Sequence, residues 1–360
     1  MELTTLVERF GEAAVLALGG FLIGLVFGAS AQRCRFCLRS AVIEFSHGML
    51  GAKLAVWLIA FSTAVAATQA AIVFGFLDVS EARQIASHGS LSGAIVGGGM
   101  FGVGMILARG CASRLLVLSA TGNLRALVTG LILTLIAQAS LRGALSPARE
   151  MLAELWMVEG GSSRNLLGWV SAGAPSGLML GMCWLAFGGW LAHRNGVRMW
   201  GWAGGVGVGL MVAAGWVFTY ALSQQAFAPV AIKSISFTGP SADTLMALVN
   251  APSLPLTFDL GLVPGVFAGS LVAALLGGEV VLQGFEGGVS MMRYIAGAVL
   301  MGFGGMLAGG CAVGAGVTGG AIFALTAWVA LTAMWAGAAA TDYLVDRPKP
   351  MPAETVEVRP

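Results

Sequence analysis

The chain has 360 residues, 57% of them hydrophobic and 10% charged, with a formal net charge of +2. A soluble domain carries roughly 25% charged residues, so this chain lacks the charge to cover a water-facing surface. The slight basic excess includes no run of Lys and Arg of the kind that holds a nucleic acid.

Apolar runs long enough to cross a bilayer core of roughly 30 Å recur at 11–31, 51–77, 91–108, 124–146, 171–192, 200–223, 259–278, 293–308 and 319–343. They predict an all-α polytopic membrane protein of about nine spans with short intramembrane or re-entrant helices. The first run ends in Ala29-Ser30-Ala31, as a signal peptide does. It is preceded by Glu2, Glu8 and Glu12 against a single Arg9, the wrong charge for such a leader, so it reads as a retained span. Within it Gly20, Gly24 and Gly28 sit four apart on one helix face, where a neighbouring backbone can approach closely.

Between the first two spans lies QRCRFCLRSAVIEFSHG, residues 32–48, too polar to span and too apolar for an ordinary loop. A re-entrant helix fits, tolerable at membrane depth where it lines protein or a water-filled cavity. The second span starts at Gly51-Ala52-Lys53 with no Ser or Thr after the lysine, so no phosphate-binding loop is present and any ATPase is a separate chain.

Spans three and eight carry a repeat. Residues 97–112 match residues 297–312 at Gly97, Gly102, Gly104, Leu107, Ala108, Gly110, Cys111 and Ala112, a constant offset of 200. An earlier echo agrees, GGFLIGLVFGA from Gly19 with GGVGVGLMVAA from Gly204. Four spans, a linking fifth and four more place the second half upside down relative to the first, an architecture of transporters in which matched Gly-broken spans mark the binding site. The expected division is 1–146, 147–199 with the linking span, 200–345 inverted, and a cytoplasmic tail 346–360. With the N-terminus outside, 13 of the 19 Lys and Arg fall on the inner side, which places the C-terminus in the cytoplasm.

Five cysteines are available for chemistry. Cys183, inside the fifth span, reads as a packing residue. Cys111 and Cys311 each follow glycine at a helix break, where Gly110 and Gly310 precede them. Cys34 and Cys37 form a C-x-x-C among Arg33, Arg35 and Arg39, and positive surroundings favour thiolate. With no second pair and no nearby His pair, a structural zinc site is not expected, and no cofactor or metal is assigned. A helix restarting after each Gly-Cys-Ala would point its N-terminal amides at the cysteine, a general anion site. Because S–H is only a weak donor, dipoles and N–H groups hold the charge while thiols choose which anion passes. An anion with an exposed sulfur is the natural choice.

Arg33-Cys34-Arg35-Phe36-Cys37, after GFLIGLVFG, and the two Gly-Cys-Ala segments resemble the YeeE/YedE family of sulfur-compound transporters. The resemblance is specific in 19–41, 97–112 and 297–316. It implies inverted halves, nine spans with short intramembrane helices, and thiosulfate as the best understood cargo. It also implies an inner-membrane location and three pathway cysteines, which fall on Cys37, Cys111 and Cys311. These would pass the ion by transient S–H···S contacts, with a small cytoplasmic TusA-type sulfur carrier as a frequent partner. Cys34 stands where the family has glycine, and Arg109 stands where the second copy has Gly309. Both are expected to modulate the inner side, and a transporter of this kind is not an enzyme. Rival readings are a membrane thiol redox enzyme using Cys34 and Cys37, and a Cu(I) path suggested by soft thiols and 17 Met.

Overall fold

Six glycines set the closest contact in the protein. Gly20, Gly24 and Gly28 of α1 (Glu12–Cys34) press against backbone carbonyls of Phe258, Leu262 and Val266, and Gly261, Gly265 and Gly269 of the facing helix press against those of Ala17, Phe21 and Leu25. A Cβ at any of the six would enter the neighbouring backbone. Where lipid tails are as apolar as the side chains, such close van der Waals packing is what joins helices.

The structure is a computed structural model describing residues 4–169, 172–250, 256–284 and 287–346. After α1 come α2 (Leu38–Ser46), α3 (Ala52–Val73), α4 (Leu91–Leu107), α5 (Ala112–Ala120) and α6 (Leu124–Arg142). Then follow α7 (Ala174–Arg194), α8 (Met199–Ser223), α9 (Thr238–Asn250), α10 (Phe258–Gly277), α11 (Gly288–Leu307), a π-wound turn Ala312–Thr318, and α12 (Leu325–Thr341). Strand pairing among the described residues is Gly89–Ser90 antiparallel to Met157–Val158, with single bridges Asn123 to Gln283 and Asn165 to Ala324.

This is an all-α polytopic membrane protein. Among the described residues eight segments are long and apolar enough to cross a membrane. The ninth expected span, 319–343, is cut short at its start. Phe323 is left-handed at φ 55°, its N–H bonds Gly320 O, and Ala324 N–H bonds Gly319 O, so the helix restarts only at Leu325 and runs 17 residues. Residues 347–360, most of the expected tail, lie outside the described residues.

The re-entrant reading of 32–48 resolves into α2 between two sharp turns. Glu44 of α2 accepts from the backbone N–H groups of Lys53 at 3.0 Å and Leu54 at 2.9 Å, satisfying the open amides at the start of α3. Both ends of α2 are tied to the chain at the C-terminal end of α12. His47 Nε2 lies 2.7 Å from Asp342 Oδ2, and Arg39 reaches Asp346, which Arg293 also holds at 2.7 Å.

The two repeat helices pack on each other. Gly97 of α4 abuts Gly304 and Ala308 of α11, and Gly104 abuts Gly297 and Met301, so the helices run antiparallel. The contacts are reciprocal at the offset of 200, since Gly297 abuts Ala108 as Gly97 abuts Ala308. The breaks carrying Cys111 and Cys311 therefore follow opposite ends of one helix pair.

Candidate functional site

Several long helices end by the same left-handed turn, as at Gly75, Gly196 and Gly278, and in three of them the turn leads to a cysteine. In α1, α4 and α11 the residue two before that cysteine is left-handed: Arg35 at φ 53°, Arg109 at φ 55° and Gly309 at φ 81°. Its N–H and the next one fold back on the helix. Arg35 bonds Gln32 O and Phe36 bonds Ala31 O; Arg109 bonds Ile106 O and Gly110 bonds Met105 O; Gly309 bonds Met306 O and Gly310 bonds Gly305 O. This paired return satisfies the last carbonyls of a helix. The cysteine that follows is extended, at φ −160° for Cys37, −84° for Cys111 and −77° for Cys311, and forms the N-cap of α2, α5 and the π-wound turn in that order.

The sequence shows two copies of this device, and the structure shows three. Arg35-Phe36-Cys37 shares too few residue types with Arg109-Gly110-Cys111 for the likeness to stand out. What they share is an arginine two places before the thiol, and that spacing was the available signal. The contrast between Arg109 and Gly309 is likewise one of side chain, because the backbone is left-handed in both. Gly310, at φ 159°, also has Ala315 N–H where a Cβ would go, whereas Gly110 has room for one.

The thiols sit where N-terminal amides converge. Cys111 and Cys311 are each 1% exposed. Cys111 Sγ lies 3.3 Å from Ser113 Oγ, and Cys311 Sγ accepts from Gly314 N–H at 3.4 Å. The Cys37 and Cys111 thiols lie close enough to interact with each other. Cys34 is buried at the last turn of α1, its thiol directed at Ala31 O. Cys183 is exposed on the outer face of α7. It lies away from the other cysteines as expected, but it does not pack inside the bundle, because the face of α7 that meets α3 is the one carrying Gly177, Gly181 and Gly188.

Cys34 and Cys37 open on a cavity of about 790 Å³. Among the described residues seven cations line it, Arg33, Arg35, Arg39, Lys53, Arg109, Arg114 and Arg198, with Glu279 as the one carboxylate. The sequence marks Arg33, Arg35, Arg39 and Arg109; Lys53, Arg114, Arg198 and Glu279 come from separate elements, and no local pattern assigns them to the site. Arg33 stacks on Trp200, 5.3 Å from guanidinium carbon to ring centroid, and Arg109 and Arg125 flank the Tyr294 ring. Arg114 Nη1 is buried with no hydrogen-bond partner. An unpaired buried donor is unusual and costly, and this one belongs to a cation near the Cys34 and Cys37 thiols.

At the Cys311 break a second cavity of about 160 Å³ is lined by Arg83, Ser87, His88, Ser90, Arg164 and Thr326, with Gly309 and Ala315 at its floor. Arg164 is 4% exposed and donates to Ser87 O at 2.6 Å and to Thr326 Oγ1. Among the described residues no group of three or more His, Cys, Asp or Glu is placed to hold a metal ion.

Spans, helix breaks and a thiol-lined cavity together are those of a polytopic membrane transporter. The chain belongs to the sulphur transport family, which matches residues 33–340. Among curated relatives it is similar to the thiosulfate transporter TsuA of Spirochaeta thermophila, 30% identical over 330 residues, covering 86% of this chain and 93% of that protein. It is also similar to the thiosulfate transporter TsuA of Escherichia coli, 24% identical over 352 residues, covering 92% and 95%.

Proposed function

We propose that this chain imports thiosulfate or a closely related sulfur-bearing anion along a path through Cys311, Cys111 and Cys37, emptying into the basic vestibule on the cytoplasmic side. The observation that carries this reading is the threefold turn that makes each cysteine an N-cap. A charge at the bilayer centre costs about 2.5–3.5 kcal/mol even on gentle scales. Helix N-terminal amides and the half-buried Arg114 guanidinium offset part of that cost. The thiols contribute contact with an exposed sulfur, which sulfate lacks.

The antiparallel, reciprocal packing of α4 and α11 supports two halves related by inversion, 1–146 and 200–345, joined through 147–199. The seven cations support a cytoplasmic vestibule, since positive charge accumulates on that side. That orientation places the N-terminus outside the inner membrane. The same vestibule suits an acidic surface of a TusA-like sulfur carrier that would accept the ion. The relay needs no bond to be made or broken, so the chain acts as a transporter with no enzymatic step.

Uptake of labelled thiosulfate by cells lacking their own importers tests the reading. Thiosulfate should accumulate, unlabelled thiosulfate should compete, and sulfate should compete poorly. Equal inhibition by the two anions would remove the thiols from the selection. A disulfide between Cys34 and Cys37 that cycles during turnover would favour the redox-enzyme reading instead.

A further inference from the structure

Among the described residues Glu279 is the one carboxylate beside the seven cations lining the vestibule, and its position is built by the backbone. Helix α10 ends at Gly277, Gly278 turns left-handed at φ 65°, and Glu279 N–H returns to Ala274 O at 2.9 Å. The glycine-to-carbonyl packing of α10 on α1 then fixes this end against the last turn of α1. There the carboxylate accepts from Gln32 Nε2 at 2.8 Å and from Arg35 Nη2 at 3.4 Å. Gln32 is 5% exposed and serves as an anchor, whereas the Arg35 side chain is 74% exposed and its contact is long. Arg35 can leave Glu279 without uncovering anything buried. It is also the left-handed residue two places before Cys37, so its side chain starts beside the thiol from which an anion departs.

We infer that Glu279 is the release residue of the path, a built-in competitor that displaces the departing anion from Arg35. The inference rests on the transport reading above. Seven cations concentrate a dianion, and without a counter-charge they would also retain it. A fixed carboxylate within reach of one of those cations lowers the residence of the anion at the exit and leaves capture on the opposite side untouched. Glu279 is therefore a positioning residue for Arg35 and takes no part in selecting the ion.

Kinetics separate this role from a structural one. In a path of capture, passage and release, slower release lowers the maximal rate and the apparent KM by one factor and leaves their ratio unchanged. Glu279→Gln keeps an acceptor for Gln32 and removes the charge. Its thiosulfate uptake should show rate and KM falling together by about three- to tenfold, with the ratio within about twofold of the parent. The purified variant should bind thiosulfate tighter by a similar factor. Glu279→Asp, which keeps the charge, should lie nearer the parent on both measures. Parent-like kinetics and binding in Glu279→Gln, or a fall in rate at constant KM with equal protein in the membrane, would overturn the inference while transport stands. Failure of the parent chain to take up thiosulfate would overturn the transport reading first, and this one with it.

Discussion

The vestibule beside Cys37 and the pocket beside Cys311 are both reached past one kind of helix turn, yet their arginines do different work. In the pocket, Arg164 is buried and committed to Ser87 O and Thr326 Oγ1, so its guanidinium joins the segment 83–90 to the start of α12. In the vestibule, cations from six separate stretches of chain line a space of about 790 Å³ against about 160 Å³ in the pocket. A narrow mouth whose charge is tied into the walls and a wide one whose charge is spread over its lining suit entry and exit in turn. The shared turn makes each thiol an N-cap, Cys37 of an α-helix and Cys311 of a π-wound turn, and the larger asymmetry between the two ends lies in the side chains around them.

The comparison breaks most completely at the thiols. Cys111→Ala and Cys311→Ala should each abolish thiosulfate uptake while the protein stays in the membrane at parental amounts, measured by immunoblot beside uptake. Full activity in both variants would mean the turns matter only for packing.

Removing Arg164 should come next. Arg164→Ala removes the donor to Ser87 O, on an exposed residue, and to Thr326 Oγ1, which is buried, a loss of about 1–3 kcal/mol for the buried group. Thermal unfolding in detergent should shift down accordingly and uptake should fall with it, whereas an Arg83→Ala variant should unfold close to the parental temperature. If Arg164→Ala melts as the parent does, the guanidinium is not holding the pocket together.

Arg109 sharpens the contrast between the two copies of the repeat. A non-glycine residue at φ 55° carries roughly 1–2 kcal/mol of strain, against which its contact with the Tyr294 ring offers about 0.5–1 kcal/mol. Arg109→Gly, which writes the second copy's residue into the first, should be near neutral in stability, and Arg109→Val should be clearly destabilised because branching at Cβ worsens the left-handed clash. Thiosulfate binding to Arg109→Gly should weaken a few-fold and lose part of its salt dependence, as expected for one vestibule cation removed.

The smallest effects belong to the remaining cysteines. Cys34→Gly should keep uptake within a few-fold of the parent while changing its sensitivity to thiol oxidants more than its rate. Cys183→Ala, on the exposed face of α7, should be indistinguishable from the parent in uptake. Complete loss in Cys34→Gly with Cys37 intact would show the C-x-x-C working as a unit.

Much of this site is written in short runs of residues. The offset of 200 between Gly-Cys-Ala segments, the i, i+4 spacing of Gly20, Gly24 and Gly28, and the polar interruption at 32–48 are local patterns, and local sterics decide what they become. The glycines met carbonyls on α10 as their spacing required, and the break after each repeat restarted as a helical segment capped by its cysteine. The span 319–343 was misjudged at its start because hydropathy does not register a left-handed Phe323.

By itself the sequence determined the membrane-spanning helical class, the two marked breaks and the thiols that follow them, because composition, period and glycine spacing act over a few residues of one segment. Only the tertiary structure decided that Arg35 takes the same left-handed turn as Arg109 and Gly309, since residue type alone does not impose positive φ on arginine. It alone placed Lys53, Arg114, Arg198 and Glu279 around one cavity. Those four come from helix ends far apart in the chain. What joins them is the packing of glycine faces on facing backbones, whose partners no local pattern names.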